Sequence, residues 1–238
     1  MDLKEEIIGL IRRNRISTTE VADALGKSGH IPKVQPLLSN IHKVGEATFI
    51  YAFNHSNWET HEQIEKIDEN KVVYVHGIEC GDRAIFGHLV SKYLVLYKQA
   101  VAIVVNGFVR DVHALVRENY PIWCAGRSPI GCFNVKNDIS PPEDLLAGLR
   151  KKFEGGILVC DDSGVVIIEP HQITEDLKDR LGFIELQEDV WYFCMDSMKM
   201  STYDIVCEKK YTKEEGLIHP NQLSQLSKFS NRINKRKK

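Results

Sequence analysis

The chain has 238 residues, 43% of them hydrophobic and 27% charged, with a formal net charge of -2. That length buries a sizeable core, as one domain or as one domain with an appendage. The near-neutral balance argues against a specific nucleic-acid-binding role, and no apolar run approaches the length of a membrane span.

The opening residues MDLKEEIIGLIRRN place acids ahead of apolar residues, the reverse of a secretory signal, and predict an amphipathic helix over 3–14. In STTEVADALGKSG, Ser17 and Glu20 form a capping box and Gly26 suits a helix C′ position. Two successive helices could suggest a DNA-reading helix-turn-helix, but few basic residues stand where a recognition helix meets phosphate.

From residue 44 the pattern turns to strand. VGEATFIYAF reads as extended, NHSNWET as a turn, HEQIEKIDEN as a polar helix or loop, and KVVYVHGI as a buried β-branched strand. IECGDRAIF reads as a loop, and GHLVSKYLVLYKQ has apolar residues at helical spacing. AVAIVV is a second buried strand and VHALVREN opens a second helix. This alternation predicts a βαβ unit with parallel strands, hence an α/β fold.

GGILVCDDSGVVIIEP then reads as two strands joined at Asp162-Ser163-Gly164, and PHQITEDLKDRL as a helix. A domain over 1–184 is expected, followed by a helical C-terminal extension over 185–238. Its last dozen residues, ending RINKRKK, read as a solvated tail.

The six cysteines (Cys80, Cys124, Cys132, Cys160, Cys194, Cys207) show no C-x-x-C pair and no zinc-like clustering. They read as reduced thiols, several buried, of a cytoplasmic protein.

In a parallel sheet, ligands gather where strand carboxyl ends meet helix amino ends. Two such points are predicted to converge. One precedes the helix beginning Gly87-His88-Leu89, which offers free backbone N–H groups to an anion. The other is NGFVRDV, which opens straight from a buried strand onto Arg110 and Asp111. Arg110 can grip a carboxylate through two parallel hydrogen bonds. Asp111 suits a hard divalent cation. An anion clamp beside a metal carboxylate is what a chelating 2-oxo acid needs, although adjacent Arg-Asp pairs at turns are commonly structural. Glu79, Asp82, His113 and Arg127 are secondary candidates whose polarity is better explained by turns and solvated helix faces.

Several motifs resemble those of the RraA-like family, which holds class II 4-hydroxy-4-methyl-2-oxoglutarate (4-carboxy-4-hydroxy-2-oxoadipate) aldolases and the regulator of RNase E activity. Thr18–Leu25 matches the family's T-x-x-V-x-D-A-L with one residue of slack, and GDRAIFGHLV matches its glycine-led helix start. Asn106–Val112 matches its D/N-G-x-x-R-D-V, YPIWCAGRSP its F-P-V-F-x-x-G-x-x-P, and GGILVCDDSGVVIIEP its A-D-D-x-G-V-V segment. The resemblance spans roughly residues 15–181.

It implies a β/β/α swivelling-type fold with a βαβ core. It also implies a homotrimer or homohexamer with sites at subunit interfaces, where a neighbour's acid completes the site. By that resemblance Gly87, Leu89 and Val90 contribute backbone contacts to the substrate carboxylate, Arg110 grips it, and Asp111 holds Mg²⁺ or Mn²⁺. The implied activity is metal-dependent lysis of a 2-oxo acid, by retro-aldol cleavage or decarboxylation, giving pyruvate or an analogue.

Two positions depart from the aldolase pattern. His88 replaces an acid, and a neutral histidine can serve as a general base there. Ala114 replaces another acid, with His113 beside it. These departures keep open a non-catalytic regulator with a protein partner, or a pathway-specific enzyme acting on another substrate at the same site. No G-x-G-x-x-G follows a strand, so a nucleotide-binding methyltransferase is not expected.

Overall fold

The computed structural model describes residues 2–213 and 217–236. The chain divides into two compact units, Met1–Ile173 and Thr174–Lys238.

The first unit contains α1 (Leu3–Asn14), α2 (Thr18–Ala24), β1 (Gln35–Pro36), β2 (Lys43–Phe53), α3 (Trp58–Ile64), β3 (Val72–Ile78), β4 (Ala84–Phe86) and α4 (His88–Lys92). It continues with β5 (Ala102–Val109), α5 (Val112–Arg117), β6 (Ile122–Arg127), α6 (Glu143–Phe153), β7 (Ile157–Asp161) and β8 (Gly164–Ile168). The helix begun by α4 passes into a π-helical turn over Tyr93–Tyr97.

The strands form one sheet in the order β1-β6-β5-β3-β2-β7-β8, with β4 beside β5. The expected βαβ unit is present: β2, β3, β5 and β6 run parallel in sequence. β7 and β8 form the hairpin expected around Asp162-Ser163, with Asp161 opposite Gly164. Residues 29–31, just ahead of β1, pair with β8 through Ile31 N–H to the Val165 carbonyl (3.0 Å) and Ile167 N–H to Gly29 (2.9 Å). Since β1 itself pairs with β6, the chain bridges both edges and the sheet becomes nearly closed and barrel-like.

Alternation along the strands sends two apolar sets in opposite directions. One set, with Ala47, Phe49, Tyr74, Val104, Trp123, Leu158 and Ile167, packs with Phe153 of α6. The other, with Val73, Val75, Ile103 and Val105, packs with Ile64, Val90, Leu94 and Leu115 from α3, the α4 helix and α5.

Two of the matched motifs are joined to each other by hydrogen bonds. The Asp161 carboxylate accepts from the Thr18 N–H and hydroxyl, each at 2.7 Å, and so joins the start of α2 to the β7–β8 turn. The capping box at Ser17 and Glu20 forms as expected.

The second unit contains α7 (Glu175–Asp196), a π-helical turn over Tyr203–Cys207, a 3₁₀ turn over Lys210–Thr212 and α8 (Pro220–Arg236). Thr174 caps α7 by accepting from the Leu177 N–H at 3.2 Å, so the boundary expected after residue 184 falls inside an unbroken helix. Val190, Cys194, Ile205, Tyr211 and Leu226 form this unit's own core.

Where a solvated, mobile tail is expected the chain is helical through Arg236, with most of its side chains over 227–234 exposed; residues 237–238 lie outside the described residues. Its charge masked an apolar stripe. Leu226 is buried, Phe229 sits where a Cβ on Gly182 would touch it, and Arg232 pairs with Asp179 at 3.1 Å. Among the described residues no helix is long and apolar enough to cross a membrane.

Candidate active site at the carboxyl end of the sheet

β5 is the element that aims Arg110 and Asp111. Its register against β6 slips between Val105 and Phe108, a local irregularity that turns the strand end. The backbone is then pinned from both sides. Arg110 N–H donates to the Phe86 carbonyl at 3.0 Å, and Ser128 N–H donates to the Val109 carbonyl at 3.0 Å. The short strand β4, in a segment expected to be a loop, therefore delivers Gly87 directly beside Arg110.

Asp111 takes a left-handed conformation (φ 57°, ψ 29°) at the start of α5. Aspartate tolerates that region better than most residues, yet it is strained compared with a helical φ. Its Oδ2 accepts the His88 N–H at 3.0 Å. The Arg110 Nε lies 3.9 Å from the same oxygen, at the outer limit of an ion pair, and both side chains are about half exposed at 49% and 48%. At that separation and exposure the mutual pairing is weak, so the two side chains remain available to outside partners.

Two glycines make this arrangement feasible. A Cβ at Gly87 would overlap the Asp111 Oδ2 and crowd the Arg110 Cγ at 2.7 Å. A Cβ at Gly131 would stand 2.5 Å from the Arg110 Nη1. Arg83 fixes the second wall by donating from Nη1 to the Gly131 carbonyl at 3.0 Å while lying 4.4 Å over the Phe133 ring. The sequence reading missed Gly131 and Arg83; neither carries a spacing that ties it to Arg110.

The remaining candidates separate. Gly87 caps α4, and the amides of Leu89 and Val90 belong to the first helical turn, which has no carbonyl partners one turn back within the helix. The amide of His88, by contrast, is occupied by Asp111. The His88 ring stacks on Tyr120, with centroids 6.0 Å apart and planes 12° apart, and its Nε2 is buried with no hydrogen-bond partner among the described residues. This places the ring against Tyr120 and the backbone N–H against the carboxylate. His113 is exposed on α5, and Glu79 and Asp82 are exposed in the turn ahead of β4. Arg127 is exposed opposite Val109, one strand over from the Arg110 turn.

Among the described residues no group of three or more His, Cys, Asp or Glu is placed to hold a metal. A cation here would have Asp111 as its protein ligand, with water and ligand oxygens filling the rest of its shell. Mg²⁺ accepts that coordination, since it keeps several waters and commonly takes one or two carboxylates. The residues present fit such an ion, because the Asp111 carboxylate is held by the His88 N–H, is about half exposed and is only weakly paired with Arg110.

The Aldolase/RraA description of the RraA-like family matches residues 18–167, well over half of the chain. The chain belongs to the RraA-like family. Among curated proteins it is similar to protein DlpA of Legionella pneumophila, with 26% identity over 194 residues, 76% of this chain and 30% of DlpA. This RraA-like chain thus spans less than a third of that relative's length. Several solved structures share its fold, two of them as follows. One is an uncharacterised protein from Pseudomonas syringae, with a TM-score of 0.65 at 19% identity, covering 84% of this chain and 96% of that one. The other is Streptomyces coelicolor RraAS2, described as an unusual member of the RNase ES inhibitor RraA protein family. Its TM-score is 0.60 at 20% identity, covering 77% of this chain and 94% of that one. The family includes lyases and non-catalytic regulators.

Proposed function

We propose that this chain is a divalent-metal-dependent lyase acting on a 2-oxo acid, by retro-aldol cleavage or decarboxylation, with release of pyruvate or an analogue. The observation that carries this reading is the pair of glycines, Gly87 and Gly131, that make room for a half-exposed carboxylate and a half-exposed guanidinium at one strand end.

Arg110 would hold the substrate carboxylate through its planar fork, and the amides of Leu89 and Val90 would add donors to the same anion. Asp111 would hold Mg²⁺ or Mn²⁺, fixed in place by the His88 N–H. The bound ion supplies Lewis-acid stabilisation of the negative charge that develops when the carbon–carbon bond breaks. In this reading His88 acts through its amide as a positioning residue. Its ring, stacked on Tyr120, would need to turn before it could carry a proton to or from substrate.

Leu89, Tyr93, Leu96 and Tyr97 are 80%, 39%, 54% and 69% exposed and lie along one side of the α4 helix. Such a stripe suits burial against another copy of the chain, in a trimer or hexamer that would bring a neighbour's acid to the site.

The test is turnover of a panel of 2-oxo acids with Mg²⁺ and Mn²⁺, read as pyruvate release. Metal-dependent release from at least one member is expected, and its absence across the panel overturns the lyase. A second reading, a regulator that binds a protein partner, is favoured by the ring placement of His88 and by Ala114 at the other acid position. It predicts no turnover together with stable capture of a nuclease partner.

A further inference from the structure

Cys80 and Cys132 lie against each other in the wall of the Arg110 cradle. Cys80 is buried in the turn after β3, and Cys132 is half-buried immediately after Gly131. The two segments run side by side and are held together along their length. Ala84 N–H donates to the Ile130 carbonyl and Cys132 N–H to the Ala84 carbonyl, both at 2.8 Å, and Arg83 N–H donates to the Cys80 carbonyl at 3.2 Å. Cys132 packs against the same apolar cluster that contains Cys80, the Cys80 thiol donates to the Ile78 carbonyl at 3.5 Å, and the two thiols are near enough to perturb each other's ionisation.

We propose that Cys80 and Cys132 are a redox pair that closes reversibly to an intramolecular disulfide, with a hydroperoxide as oxidant and Cys132 as the sulfur that reacts first. The Cys132 thiolate attacks a peroxide oxygen and the O–O bond breaks. This leaves a sulfenic acid on Cys132 and releases water or an alcohol. The Cys80 sulfur then attacks the Cys132 sulfur, the S–O bond breaks, and the hydroxyl departs as water with the Cys80 proton. Two thiols lose two electrons and one peroxide gains them.

The order of reaction follows from surroundings. The neighbouring Cys80 side chain lowers the Cys132 thiol pKa below its ordinary value, and the charges of Arg83 and Arg110 lower it further against the opposing effect of burial. A thiolate is the reactive form, so a lowered pKa beside two guanidinium groups favours attack from Cys132. The neighbouring Cys132 side chain and burial together raise Cys80, which suits the resolving partner. The alternatives are poorer. Burial pushes Cys124 up to about 11, raises Cys160 well above its usual value and also raises Cys194.

Closure brings the two neighbouring sulfurs to the roughly 2 Å of an S–S bond, with the Cys80 thiol leaving the Ile78 carbonyl. The bond would tie the Cys80–Ala84 turn to the segment carrying Gly131, and so link the oxidation state to the wall that supports Arg110.

The experiment is a peptide map of the reduced full chain after stepwise hydrogen peroxide, with free thiols alkylated before digestion. The expected result is a linked Cys80–Cys132 peptide that accumulates before the exposed Cys207 is modified, and that dithiothreitol reverses. In Cys80→Ser, Cys132 is expected to carry a sulfenic acid that dimedone traps; in Cys132→Ser, Cys80 stays alkylatable. Oxidation of Cys207 ahead of the pair, or Cys132 advancing to sulfinic acid in the wild-type chain without any linked peptide, overturns the proposal. The wild-type map decides the matter even if a serine variant folds poorly.

Discussion

The two ends of the sheet are built from different materials. At the amino end, a cavity of about 770 Å³ is lined by residues at the starts of β2, β3, β5 and β6, together with α1. Its central carboxylate is already matched: Glu46 accepts from Lys4 at 2.9 Å and Lys71 at 2.7 Å, and Arg12 donates to the Val44 carbonyl. At the carboxyl end stand a left-handed aspartate, a weakly paired arginine and two glycines whose Cβ positions would collide with those two side chains. The carboxyl end is the better candidate because its charges lack strong internal partners and its backbone departs from relaxed geometry.

That contrast can be broken experimentally. The largest effect is expected from Arg110→Ala, which should weaken a pyruvate- or oxalate-like ligand by about 100-fold or more, the order of a charge-assisted bidentate contact. Arg110→Lys should recover part of the loss, since a lysine keeps the charge and loses the fork. Gly87→Ala comes next. Its methyl would displace the Asp111 carboxylate, so Mn²⁺ binding should fall by about tenfold or more, with an overpacking cost of about 1–3 kcal/mol in chemical denaturation. If Gly87→Ala binds metal like wild type, the cradle has no functional meaning.

The third prediction concerns pH. Burial holds the pKa of His76 below its ordinary value, with the charge of Lys152 adding to the effect. The unfolded chain therefore takes up the proton first. The contribution of neutral His76 to stability is complete above about pH 6.5 and is lost as pH falls through its lower folded value. Thermal melts should show wild type losing more stability below pH 6.5 than His76→Gln; parallel curves would contradict this. The smallest effect is expected at the amino end. Glu46→Gln should cost about 0.5–1 kcal/mol and leave ligand binding within twofold. A large binding defect there would reverse the comparison between the two ends.

Much of the α/β core was legible in the sequence because its strands are continuous β-branched runs, as at KVVYVHGI and AVAIVV. The site was legible only in part. Arg110 and Asp111 announced themselves as polar residues at the end of a buried strand, and their family motif is specific. Gly131 and Arg83 did not, since their relation to Arg110 depends on a parallel bridge between Ala84 and Gly131 that no local pattern encodes. The short strand β4 was equally hidden: three residues are too few to show a period. His88 illustrates a different gap. The sequence gives its position at a helix start, but the choice between facing the crevice and stacking on Tyr120 is made by α5 and the turn behind it. On the α4 helix, periodicity revealed the apolar residues without distinguishing buried Val90 and Leu94 from exposed Leu89 and Tyr97. In the second unit, the basic residues of α8 concealed an amphipathic helix.

The most direct test of the central claim is a calorimetric titration of Mn²⁺ into the full chain with and without oxalate, a chelating probe, repeated with Asp111→Asn. The account predicts that Mn²⁺ binds wild type, that oxalate tightens the binding, and that Asp111→Asn weakens it by about tenfold or more while the melting temperature stays close to wild type. Equal Mn²⁺ affinity in wild type and Asp111→Asn, or no Mn²⁺ binding in either, would contradict it.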